Sequence, residues 1–113
     1  MTLGEQMRAS GVPFCLGTMH FGTRTDEATA GGLLDRFADA GGMVIDTANC
    51  YGIWAGTGDE SEDVVGRWLQ RGNNRDRVLV ATKVGMRPDS AEQPWPTHEE
   101  GLSAKAVDRK SVV

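Results

Sequence analysis

Basic residues are in deficit in this 113-residue chain: 12 lysines and arginines stand against 16 aspartates and glutamates, for a formal net charge of −4. A general nucleic-acid binder or an anionic-membrane binder needs a basic patch, so neither partner is expected. Long apolar runs are missing too. The longest extend over a few residues, far short of the roughly 20 that a transmembrane helix requires. The first residues, MTLGEQMRASG, carry an acid and no apolar stretch, so no secretory signal is read there and a cytoplasmic location is expected. Cysteine is scarce: Cys15 and Cys50 are the two in the chain, without metal-ligand spacing. They read as reduced, buried packing residues, and no metal is expected. What is abundant is glycine, 15 residues, and it falls at the ends of the apolar segments. That distribution implies many tight turns in one small domain of ordinary soluble composition.

Along the chain, strand-like and helix-like patterns alternate. Residues 13–19, PFCLGTM, read as a short buried strand with proline tolerated at its start. Thr25 then offers a helix N-cap, with Asp26 and Glu27 in the first turn. Ala30, Leu33, Leu34, Phe37 and Ala38 follow at helical spacing and predict one apolar stripe, closed by Gly41 and Gly42. Residues 43–48, MVIDTA, form the next predicted strand, with both faces covered. A glycine-bearing polar loop over 49–58 leads to Asp59 and Glu62, which have the spacing of a capping box. Val64, Val65, Trp68 and Leu69 make the stripe of a second helix, ended by Gly72. Residues 78–83, VLVATK, are the third predicted strand. An irregular stretch over 84–101 carries Pro88, Pro94 and Pro96, and Ser103 is positioned to cap a third helix. The order β-α-β-α-β implies parallel strands with right-handed crossovers, in a doubly wound sheet or a barrel.

Parallel strands gather their C-terminal ends on one side, where active sites of α/β folds lie. Asp46 and Lys83 fall near the ends of consecutive strands. Side-chain alternation puts Val44 and Asp46 on one face, and Leu79, Ala81 and Lys83 on one face. If both faces point inward, Asp46 and Lys83 meet as a desolvated ion pair, with Tyr51 turned back over them. A free phenol, with a pKa of ~10, is a poor proton donor at neutral pH, and a neighbouring ammonium improves it by stabilising the phenolate. An Asp–Lys–Tyr trio is therefore suited to protonating a carbonyl oxygen as it becomes an alkoxide, with hydride from a nicotinamide.

LGTMHFG, DTANCYG, GDESEDVVGRWL and VLVATKVG occur in that order. Over about residues 16–107 the chain resembles the N-terminal part of the aldo-keto reductase family. The resemblance implies a (β/α)8 TIM barrel of which this is the truncated N-terminal β-α-β-α-β portion. It also implies NAD(P)H-dependent reduction of a small aldehyde or ketone, with NADPH as the expected cofactor and NADH as the alternative. Asp46, Tyr51 and Lys83 match three members of the family's catalytic tetrad, with Tyr51 as general acid. Gly17, Thr18 and Met19, together with Asp46, match positions that approach the nicotinamide–ribose end of the cofactor. His20, Trp54 and Trp95 are candidates for a substrate pocket, and Cys50 beside Tyr51 is a candidate oxidation-sensitive position. His98 is expected to be solvated, and Trp68 to pack against the sheet. The tetrad's fourth residue, a histidine on the next strand, has no counterpart here, so the chain alone is expected to be inactive.

Residues 1–107 are accordingly read as part of a barrel. Asp108 to Val113, DRKSVV, are read as a non-native tail, because a common sequencing-adapter string translates to them. Two other function classes compete: a nicotinamide-binding regulatory module on the same fold, and a short interaction fragment. A short-chain dehydrogenase places Tyr and Lys four residues apart on one helix, and a GxGxxG phosphate loop is missing, so a Rossmann fold is disfavoured. Substrate identity and oligomeric state are left open.

Overall fold

A computed structural model describes residues 1–88 and 99–111. The elements are α1 (Leu3–Ala9), β1 (Leu16–Gly17), α2 (Glu27–Asp39), β2 (Val44–Asp46), α3 (Glu60–Leu69), α4 (Asn74–Arg77), β3 (Leu79–Ala81) and α5 (Ala104–Ser111). The three strands are parallel in the order β1-β2-β3, with Leu16 opposite Ile45 and Val44 opposite Leu79. This is an α/β arrangement, a small sheet with helical crossovers.

α2 begins one residue later than the sequence pattern placed it. Asp26, rather than Thr25, is the N-cap, and its carboxylate accepts from Thr29 N–H at 2.8 Å. The helix ends in a Schellman motif: Gly42 N–H donates to Phe37 O and Gly41 N–H to Ala38 O, with Gly41 at φ 96°. Ala30, Leu34, Phe37 and Ala38 are buried as the stripe requires, but Leu33 is 44% exposed. Gly31 lies on the buried side instead.

α3 buries Val64, Val65 and Trp68 against α2 and the sheet. Its start corrects the capping-box expectation. Asp59 makes no side-chain cap bond, and Glu62 accepts from the Thr82 hydroxyl. Trp68 is 1% exposed and its indole N–H donates to Asp35 at 2.7 Å, so it is a packing residue with a satisfied polar handle. Leu34, Ile45 and Trp68, all nearly inaccessible, are the centre of the core. Burial of a side chain such as Leu34 or Ile45 contributes about 1.5–3 kcal/mol.

β2 is covered on both faces as expected, with Val44 6% and Ile45 0% exposed, but the reading of the third strand as buried fails. Leu16, Ile45 and Val80 belong to the packed face, with Val78 beside them in the core. On the opposite face Leu79 is 54% exposed, and Gly17 and Ala81 are exposed. α1 was not anticipated. Its capping box is complete, with Thr2 Oγ1 accepting from Glu5 N–H and Glu5 Oε2 accepting from Thr2 N–H. α5 has the expected Ser103 cap, which accepts from Ala106 N–H at 3.2 Å, and it runs through Asp108. Cys15 is exposed and Cys50 half-buried, so the picture of two buried thiols fails, most clearly at Cys15.

Candidate active site

The parallel register sets Asp46 opposite Ala81, so the strand ends of β2 and β3 are level. The pairing continues past the regular strands: Thr47 N–H donates to Ala81 O and Asn49 N–H to Lys83 O. Lys83, two residues beyond Ala81, returns to the same face as Asp46. Its Nζ lies 2.9 Å from Asp46 Oδ2, 2.9 Å from Thr47 O and 2.9 Å from Tyr51 Oη. The ammonium also stands 4.8 Å from the centre of the Tyr51 ring. Three donors of one ammonium thus meet a carboxylate, a carbonyl and a phenol.

The ion pair is not desolvated, as the sequence pattern had suggested. The Lys83 and Asp46 side chains are 50% and 37% exposed, because the sheet face that carries them is open. Burial pulls the lysine's pKa down. Its hydrogen bonds to Tyr51 and Asp46 outweigh that and hold it above the ordinary lysine value. The cation is therefore fully charged at neutral pH.

Tyr51 is the only tyrosine in the chain and sits on the turn-rich loop between β2 and α3. That loop is organised from within by Glu60. Its carboxylate accepts from Thr57 N–H at 2.6 Å, Gly58 N–H at 2.8 Å and the Thr57 hydroxyl at 3.2 Å. Burial would push the Glu60 carboxyl upward, but these bonds prevail and hold it below the usual carboxylate range. Gly52, at φ 95°, leaves the space that the carboxylate fills; a Cβ there would stand 2.6 Å from Glu60 Oε2. Cys50 beside Tyr51 has its thiol pushed up by burial, only partly offset by Lys83, which lowers its thiolate fraction and its reactivity.

At the end of β1, a side chain at Gly17 would meet open space, and Met19 is 48% exposed. Thr18 differs. It is 0% exposed, and its N–H and hydroxyl both donate to Asp46 O. Its carbonyl accepts from the Ser61 hydroxyl and from Phe21 N–H. His20 is half-buried and meets Trp54 edge-on, with ring centres 6.1 Å apart, and its Nδ1 is buried without a partner among the described residues. Trp54 is 47% exposed. Trp95 and His98 lie outside the described residues. The sequence reading missed Ser61, whose hydroxyl lies 2.7 Å from Thr18 Oγ1 and 2.8 Å from Thr47 Oγ1. This buried trio ties the first two strand ends to the start of α3.

A groove of about 740 Å³ lies between α3, β3 and α5, lined by Glu62, Arg67, Val80, Thr82 and Val107 among others. Val80 and Thr82 alternate with Lys83, so the groove is on the other face of the sheet. Asp46, Tyr51 and Lys83 do not line it.

The parallel α/β sheet thus brings an aspartate, a lysine and a tyrosine together at its strand ends. The aldo/keto reductase family matches residues 13–109, and the chain belongs to that family. It is 42% identical over 96 residues to the uncharacterized oxidoreductase YrpG of Bacillus subtilis, covering 84% of this chain and 29% of that protein. It is 47% identical over 81 residues to norsolorinic acid reductase stcV of Emericella nidulans, covering 66% and 20%. With the NADP(+)-linked aryl-alcohol dehydrogenase of Phanerodontia chrysosporium it shares 35% identity over 111 residues, covering 95% and 25%. The chain therefore spans less than a third of the length of these relatives.

Proposed function

We propose that this chain is the N-terminal portion of an NADPH-linked reductase of aldehydes or ketones, built on a (β/α)8 barrel, in which Tyr51 is the general acid. The observation that carries the reading is the Lys83 ammonium, 2.9 Å from both Tyr51 Oη and Asp46 Oδ2. When bound, the reduced nicotinamide supplies the hydride. The residues fit such a group. Gly17 leaves space beside the trio, Met19 offers an exposed apolar surface, and Asp46 presents a part-exposed carboxylate. Thr18 contributes by fixing the strand end, since its polar groups are used internally.

Tyr51 Oη gives its proton to the carbonyl oxygen as negative charge builds there. The phenolate left behind is held by the Lys83 ammonium, already in hydrogen-bond contact with it. Asp46 and the Thr47 carbonyl take the other two ammonium donors, which stops Lys83 from swinging away. The relative named an aryl-alcohol dehydrogenase suggests aromatic aldehydes as substrates, and the His20–Trp54 pair is a suitable wall for them. The remaining barrel strands and the rest of the cofactor site belong to the part of the protein beyond this chain, so the chain alone is inactive. Residues 108–113 are a non-native tail in this reading; a genomic frame continuing past the Val107 codon into a fourth strand supports it, and a stop directly after Val113 opposes it.

The experiment uses the intact protein from the source locus. NADPH oxidation is followed with and without an aromatic aldehyde, and the alcohol product is identified. Aldehyde-dependent oxidation with matching alcohol supports the reading. Tight NADPH binding without turnover of a broad aldehyde set contradicts it and favours a regulatory module.

A further inference from the structure

The loop that carries Tyr51 is gripped from outside by one guanidinium. Arg87 Nη1 donates to Asn49 O at 3.1 Å and to Asp59 Oδ1 at 2.5 Å, and Arg87 Nη2 donates to Thr57 O at 3.3 Å. Asn49 stands two residues before Tyr51, and Thr57 and Asp59 close the loop. One planar fork therefore joins both ends of the segment and ties them to the chain that follows Lys83. Asp59 occupies the N-cap position of α3, where a carboxylate bonded to the helix N–H groups contributes about 1 kcal/mol. It makes no such bond, and its carboxylate faces Arg87. A helix cap has been given up for a clasp on the Tyr51 loop. Asn49 is fixed further, its side-chain amide donating to Glu100 Oε1 at 2.8 Å, and Glu100 also accepts from Gly85 N–H.

We infer that Arg87 is a positioning residue for Tyr51: through Asn49, Thr57 and Asp59 it sets where the phenol stands relative to Lys83 and an incoming carbonyl. The inference rests on the proton-donor role proposed for Tyr51. A lysine cannot replace the fork, because a single ammonium on a flexible stem does not span three acceptors at two ends of a loop. Misplacement of a reacting group by about 1 Å costs up to ~100-fold in rate.

The test compares wild type, Arg87→Met, Arg87→Lys and Tyr51→Phe in the intact protein. Arg87→Met is expected to lower kcat about 10–100-fold while the Kd for NADPH changes less than about 3-fold, with Arg87→Lys recovering part of the loss. Hydrogen exchange should rise over residues 49–59 and stay unchanged in α2. A kcat within about 2-fold of wild type, or exchange that rises throughout the protein in step with the loss of rate, would overturn the inference. If Arg87→Met does not fold, Asp59→Asn replaces it: local loosening with a lower kcat supports the clasp, and neither change refutes it. Tyr51→Phe separates the two levels. If that variant keeps the wild-type rate, the proton-donor reading fails and the inference with it; if it is slow while Arg87→Met is not, only the Arg87 role fails.

Discussion

Removing the Ser61 hydroxyl should cost more than its size suggests. Ser61 is 0% exposed and its Oγ serves Thr18 O, Thr18 Oγ1 and Thr47 Oγ1 at 2.7–2.8 Å. In Ser61→Ala the Thr18 hydroxyl still donates to Asp46 O and the Thr18 carbonyl still accepts from Phe21 N–H, so both keep a partner. Thr47, 1% exposed, loses the partner of its hydroxyl. A buried hydroxyl left without a partner costs about 1–3 kcal/mol, and the net value of the lost bonds adds about 1 kcal/mol. Alanine returns about 0.5 kcal/mol through its better helix propensity, since Ser61 lies in the first turn of α3. The expected loss is about 1.5–3.5 kcal/mol, read as a lower urea midpoint with an unchanged slope in the intact protein. Thr47→Val added to Ser61→Ala removes the orphaned hydroxyl and should recover about 1 kcal/mol. A loss below about 0.5 kcal/mol, or strict additivity of the two changes, would refute the claim that this trio pins the strand ends.

Further outcomes follow from the same contacts. Gly42→Ala places a Cβ 2.5 Å from two Phe37 ring atoms, and the ring, 7% exposed, has little room to move. A loss of about 1–3 kcal/mol is expected by thermal melting, whereas Gly32→Ala, with nothing within 4 Å and a helical backbone, should gain up to about 1 kcal/mol. Glu60 has a folded pKa depressed from the ordinary 4.5. Its stabilisation of the Tyr51 loop is therefore fully present above about pH 4.5 and is lost as pH falls through the lower folded value. Protection factors for the Thr57 and Gly58 amides should be flat from neutral pH down to that range and fall below it; a decline already complete at pH 6 would contradict the assignment.

Much of the site was readable because its parts lie on strands. A period of two fixes which side chains share a face, so DTA and ATK were enough to bring Asp46 and Lys83 together. Their degree of burial was not readable. It depends on what covers that face of the sheet, which no local pattern records. Leu33 shows the same limit: helical spacing puts it beside Leu34, yet the stripe's edge is set by where α3 lies. α1 was legible in the T-x-x-E spacing of Thr2 and Glu5 but carries no buried apolar residue, the feature that makes helices conspicuous. Asp59 and Glu62 had the spacing of a cap but went to Arg87 and Thr82, partners 28 and 20 residues away. The Ser61 trio joins residues 14 and 43 apart and the Arg87 clasp residues 28 to 38 apart, and only the fold makes them neighbours.

Tyr51 and Lys83 together carry the proposed proton transfer. The most direct measurement is the single-turnover rate of aldehyde reduction by the intact protein with Tyr51→Phe and, separately, Lys83→Met, each saturated with NADPH. Loss of a positioned general acid costs about 10²–10⁴-fold. Both variants are predicted to slow reduction by that order while still binding NADPH. Rates within a few-fold of wild type in either variant would contradict the assignment.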